Sequence, residues 1–188
     1  MTAPAASAGA SGGDISAKKK AVTRRHAEGA THSEAVYSAC GSYRYALTRE
    51  WGAGPRIVFA MLNPSTACER RNDPTVARCE RRARAGGFGA MRVVNLFALR
   101  ATDPRAMMAH PDPTGPGNDA VLEEAARWGD LLLCGWGVHG AHLGRGAAVA
   151  ARLRAAGHAL HVLGLTREGH PRHPLYVGYA QGPRPWTG

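Results

Sequence analysis

A chain of 188 residues, 44% of them hydrophobic, fits one domain around one core and leaves little room for a two-domain enzyme. Its 24 Lys and Arg against 14 Asp and Glu give a net charge of +10, which argues against an acidic solubilising module and puts nucleic acid first among partner classes. No apolar run of 18 residues and no apolar leader is present, so the expectation is a cytoplasmic protein with no membrane partner.

In residues 1–30, Ala, Gly and Ser fill 16 of 30 positions, too little apolar surface to offset ordering, and the segment reads as a disordered basic tail of charge +3 ahead of a single α/β domain over 31–188. From Ala35, two aromatic-bearing runs around Cys40-Gly41-Ser42 predict an antiparallel hairpin. After Gly54-Pro55, the continuous apolar run RIVFAML reads as a buried parallel strand that stops at Asn63-Pro64. Asp73-Pro74 supplies an N-cap and a first-turn proline for the helix TVARCERRARAG. MRVVNLFAL is a second strand, Asp103-Pro104 opens a short helix, and Asn118 or Asp119 is the expected cap of AVLEEAARW. DLLLCGWG, GRGAAVAARLRAAG and HALHVLGL give the third strand, a helix and the fourth strand, before the polar turn TREGHPRHPLY. The alternation predicts a three-layer α/β/α fold with a mostly parallel four-stranded sheet plus the N-terminal hairpin.

Ligand sites in such sheets lie beyond the carboxyl ends of the strands, which makes neighbours of Asn63 to Thr66, Asn95 to Arg100, Trp136 to His139 and Gly169 to His173. Asn63 reads either as a turn residue bonding its own backbone or as a group fixing a water or substrate atom. Asn95, an amide among Val93, Val94, Leu96 and Phe97, needs partners, because an unpaired buried amide costs about 1–3 kcal/mol. Its donors and acceptor suit either backbone groups or the edge of a nucleobase. His170 and His173 lie in a stiff, basic turn; with no acidic or thiol companions they do not read as metal ligands, and surface histidines or a donor to a leaving group are the two readings. Cys40, Cys68, Cys79 and Cys134 are too scattered for a metal clip or a disulfide framework and read as thiols. No G-x-G-x-x-G with its acidic partner, no phosphate-binding loop and no G-x-S-x-G elbow is present, so neither a dinucleotide cofactor nor serine hydrolysis is expected.

The segments SACGSYRYALTREWGAG, MLNPSTA, NDPTVARC, VVNLFALRATDP, GWGVHG and GLTREGHPRHPLY together resemble the bacterial and phage family called domain of unknown function 1643, over about residues 33 to 178. More distantly, the order of the four strand tips is similar to the uracil-DNA glycosylase superfamily. Met61-Leu62-Asn63-Pro64-Ser65 resembles its first motif in the Asn form, Val93-Val94-Asn95-Leu96 its base-binding strand, Leu133 to His139 its third-strand segment, and His170-Pro171 or His173-Pro174 its late His-Pro motif.

That second resemblance implies hydrolysis of the N-glycosidic bond of a damaged or modified base flipped out of duplex DNA, without a cofactor. It implies that Asn63 positions water and that His170 or His173 stabilises charge on the departing base. Asn95 would contact the base edge, with Ser65 where stringent uracil enzymes carry a bulky tyrosine. Arg100, Arg172 and His139 would contact the nucleic acid. The alternative is a non-catalytic nucleic-acid or nucleotide-binding module of the same fold.

Overall fold

The structure, a computed structural model, describes residues 21–187. Its strands are β1 (Ala21–Glu28), β2 (Thr31–Ser38), β3 (Arg44–Glu50), β4 (Arg56–Met61), β5 (Ala90–Asn95), β6 (Leu131–Cys134), β7 (Leu160–Val162) and β8 (Arg184–Pro185). Its helices are α1 (Pro74–Ala85), α2 (Pro104–Met108), α3 (Asn118–Trp128) and α4 (Arg145–Ala155). The strands form one mixed sheet in the order β1-β2-β3-β5-β4-β6-β7-β8. The inner strands β5-β4-β6-β7 are mutually parallel, and every other pairing is antiparallel.

The expectation of a mostly parallel four-stranded sheet is thereby corrected. The four parallel strands are present, but four of the sheet's seven pairings are antiparallel. The hairpin does not stand apart, because β3 pairs along the otherwise open edge of β5, from Ala46↔Val94 to Glu50↔Ala90, and supplies its missing backbone partners. The tail boundary is corrected as well. Residues 1–20 lie outside the described residues, while 21–28 form β1 and pair with β2 from Ala21↔Ser38 to Glu28↔Thr31. Backbone hydrogen bonds to a partner strand secure a segment too polar to be placed by burial.

Strand β4 shows why its run is uniformly apolar. Ile57, Phe59 and Met61 pack on the α1 side, where Val76, Cys79 and Ala83 form the buried stripe of the helix. Val58 and Ala60 face the opposite cluster with Leu122 of α3 and Val149 and Leu153 of α4. Both faces are covered, so neither is polar. Helix α1 starts as its sequence directs: Val76 N donates to the Asp73 side chain at 2.8 Å, and Pro74 needs no donor partner in the first turn.

Helix α3 starts differently from expectation. Gly117, at φ 75°, occupies the cap position, and Asn118 is the first helical residue, 1% exposed. The Asn118 Nδ2 donates at 3.0 Å to each of the carbonyls of Asn95, the last residue of β5, and Leu96, just beyond it. Asp119 instead pairs with Arg145 and, at 3.0 Å, with Arg152. Replacing Asn118 by Ala strips the Asn95 carbonyl of its side-chain donor and leaves the Leu96 carbonyl with Arg145 Nε at 3.1 Å, so the expected cost is about 1–3 kcal/mol, read as a lower urea midpoint at unchanged slope. A midpoint within error of wild type would mean that other donors reach these carbonyls.

Candidate functional site

Beyond the carboxyl ends of the parallel strands lies a cleft of about 460 Å³ whose wall includes Asn63, Ser65, Trp136, His139, Arg172, His173 and Tyr176. Of the residues singled out in the sequence, Asn63, Ser65, His139, Arg172 and His173 meet here. Asn95, Arg100 and His170 do not line it. Asn95 is 2% exposed at the end of β5, and its Oδ1 is buried without a donor among the described residues. Arg100 reaches the Gly41 carbonyl at 3.2 Å, and His170 closes the turn that begins at Thr166.

The first wall is the segment after β4. Pro64 cannot continue a ladder, so the chain leaves the sheet and bonds to the segment after β5: Phe97 N donates to Leu62 O at 3.0 Å and Ala101 N to Pro64 O at 2.9 Å. Asn63 Nδ2 donates to Ala101 O at 2.8 Å and to Pro64 O at 3.1 Å. Those bonds fix the amide, and Oδ1 has no donor among the described residues, so it presents a fixed acceptor at the cleft.

Two arginines of β3 hold this segment from below. Arg44 Nη1 donates to Ala67 O and Arg49 Nη2 to Cys68 O, each at 2.6 Å, and Arg49 also reaches Asn72 Oδ1 at 3.0 Å. Arg44 is 2% exposed, and burial lowers its pKa to about 10, opposed by the negative charge of Asp73, so it stays cationic at neutral pH. The Asp73 carboxylate that caps α1 accepts Ala67 N at 3.3 Å with its other oxygen. Sequence reasoning missed these anchors. The available signal was an arginine placed between Tyr43 and Tyr45 in a strand that buries both of its faces.

The facing wall joins the β6 tip to the turn after β7. Gly137 N donates to Pro171 O at 2.8 Å. At Gly135 an added Cβ would lie 2.8 Å from Pro174 Cδ, so glycine lets the two segments touch. His173 N-caps a short 3-10 turn, Pro174–Tyr176: Leu175 N donates to His173 Nδ1 at 3.3 Å. With Nδ1 accepting, the neutral ring carries its proton on Nε2. Burial lowers the His173 pKa to about 4, against the pull of Asp73, so the ring is neutral at physiological pH. Tyr176, 73% exposed, stands beside it with ring centroids 5.7 Å apart, a rim aromatic that the sequence reading did not select.

The basic face of α1 is largely committed to structure. Arg78 donates to the carbonyls of Pro174 and Val177 at 2.9 and 2.7 Å, and Arg82 to those of Val177, Gly178 and Gln181 at 2.6 to 2.9 Å. These bonds tie the His173 turn to the helix capped by Asp73.

A family model described as Protein of unknown function (DUF1643) matches residues 44–175. The chain belongs to that family. The matched span runs from Arg44 to Leu175 and holds every cleft residue named above except Tyr176. No curated protein and no solved structure matches the chain. Among the described residues no group of three or more His, Cys, Asp or Glu could hold a metal, no helix is long and apolar enough to cross a membrane, and all four cysteines are free.

The His173 shift has a definite sign. Below its ordinary value of 6.5 the unfolded chain takes up a proton that the folded ring refuses until about 4, so this group lowers stability as pH falls through that interval and adds no further loss below it. Urea midpoints measured across the interval should fall with pH in wild type and fall less steeply in His173→Gln. Parallel curves would assign the loss to other groups.

Proposed function

We propose that the chain hydrolyses the N-glycosidic bond of a modified base flipped from DNA into the cleft. The observation that carries this reading is the pairing, across one cleft, of a fixed amide acceptor with a neutral imidazole donor: Asn63 with Nδ2 pinned to Ala101, and His173 with Nδ1 occupied by Leu175 N.

Breaking the bond leaves positive charge on the sugar and negative charge on the base. The electron pair of the bond departs with the base nitrogen, water adds its oxygen to the sugar carbon, and the proton that this water sheds passes through solvent to the departed base anion. An amide does not ionise, so Asn63 acts by holding water through Oδ1. The Nε2–H of His173 donates to a base carbonyl as charge gathers there; a neutral donor suits that anion without having to give up its proton. Arg172, whose Nη2 bonds Tyr176 O at 3.1 Å, and exposed His139 stand where they can contact the nucleic acid. Ser65 leaves space beside the base where a bulky residue would exclude substituents, which favours a modified base. Asn95, buried off the cleft wall, is given no base contact here.

The test is abasic-site formation on a panel of duplexes, each with one modified base. Asn63→Ala should lower turnover at least about a hundredfold, with DNA affinity within about twofold of wild type, because positioning acts on the transition state. His173→Ala should cost a similar factor and His170→Ala little. Absence of abasic sites across the panel overturns the reaction and leaves a non-catalytic nucleic-acid-binding module.

A further inference from the structure

The two faces of the β1–β3 extension differ in how their charges are satisfied. On the face shared with α3, Arg25 pairs with Glu34 at 2.8 Å, while Arg92 bonds Thr48 Oγ1 at 3.0 Å and lies over the Trp128 ring at 4.2 Å. On the opposite face, the guanidiniums of Arg24 and Arg100 lie over the ring of Tyr37, at 5.1 and 5.5 Å from its centroid. Exposed Arg24 has no carboxylate partner among the described residues, and Arg100 bonds only the Gly41 carbonyl. Alongside, a polar recess of about 330 Å³ is lined by His26, Arg49 and the exposed Arg70 and Arg71, whose side chains likewise have no partner among the described residues.

The carboxylates nearby are largely engaged. Glu69 accepts the Tyr37 hydroxyl at 3.2 Å and Glu80 takes Asn72 Nδ2 at 2.6 Å and Arg84 at 2.7 Å; both line the recess, as does Glu28 at the hairpin tip. Arg70 and Arg71 lie on the segment whose start, Asn63 to Ser65, lines the cleft, and Arg44 links that segment to β3 below Tyr37. The guanidiniums of Arg24, Arg100, Arg70 and Arg71 therefore stand around Tyr37 and the adjoining recess, on the segments that lead from the cleft to the hairpin.

We propose that this face is a phosphate track for the DNA strand flanking the base in the cleft, an assignment that rests on the glycosylase reading for the identity of its polyanion. Arg24 and Arg100 form one pair of phosphate contacts, held in place by the Tyr37 ring, and Arg70 and Arg71 form the second. The hairpin is thus a binding arm, and its opposite face takes no part.

Anisotropy titrations of a labelled duplex with the full chain, across a salt series, test this. Removing one phosphate-binding guanidinium should lower the slope of log affinity against log salt by about one, so Arg24→Gln/Arg100→Gln and Arg70→Gln/Arg71→Gln should each lower it by about two and weaken binding about tenfold or more at physiological salt. Arg25→Gln, on the other face, should leave the slope unchanged, with thermal melts confirming folding of all variants. Unchanged slopes in both double variants, or an equal drop in Arg25→Gln, overturn the assignment. So does displacement of DNA by polyglutamate as effective as by unlabelled duplex, which would make the face a surface for acidic proteins. Abasic sites are scored separately: their absence removes the reaction, and the slopes still decide the track.

Discussion

The buried guanidinium of Arg44 is the contact on which the cleft depends. Its strand pairs with β5, its backbone N–H bonds Ala98 O at 2.9 Å, and its side chain bonds Ala67 O, so one residue links the sheet edge to both segments that bound the first wall. Burying a cation is costly: Nη1 has a carbonyl acceptor, Nε is buried without a partner among the described residues, and Asp73 is near enough to oppose the fall in its pKa. Residues 63–73 run without a strand or helix of their own between β4 and α1. Side-chain donors to main-chain carbonyls do for this segment what a ladder would do for a strand.

Asp73 carries that constraint onward. One carboxylate starts α1 and holds Ala67 N, and α1 then carries the arginines that bind the carbonyls of the His173 turn. The two walls of the cleft are therefore joined through a single helix. A change at the N-terminus of α1 should be felt on both sides of the cleft, because nearly every link is a directional hydrogen bond. Four of the 24 basic side chains serve in this way. Arg44, Arg49, Arg78 and Arg82 all donate to carbonyls, so net charge overstates the positive surface offered to a partner. Arg24, Arg70, Arg71 and Arg100 are among the guanidiniums that no carboxylate pairs among the described residues.

The neutral state of His173 follows from the same packing. Its side chain is half-buried in the cleft wall, and a backbone N–H occupies Nδ1. Such a ring offers a donor whose protonation does not change near neutrality. The same donor suits any ligand that develops or carries a carbonyl-type acceptor.

Sequence by itself determined what depends on local pattern. The apolar runs specified β4, β5, β6 and β7, Asp73-Pro74 specified the start of α1, and Asn63-Pro64 specified where β4 ends, because each is set by side-chain periodicity or by the missing N–H of proline. The rule that parallel strands present their carboxyl ends to a ligand was enough to bring Asn63, Ser65, His139, Arg172 and His173 to one cleft. Only the tertiary structure decided the rest. Strand β1 is polar and is placed by backbone pairing, which no side-chain pattern reports. Asn118 looked like a cap and became a clamp, because the carbonyls it serves are 22 and 23 residues away. Asn95 was buried at the end of β5 off the cleft wall, and His173 lines the cleft where His170 does not, through the packing of segments distant in sequence. Long-range hydrogen bonds and burial are properties of the assembled sheet, and they decided which of the polar residues at its strand tips face the cleft.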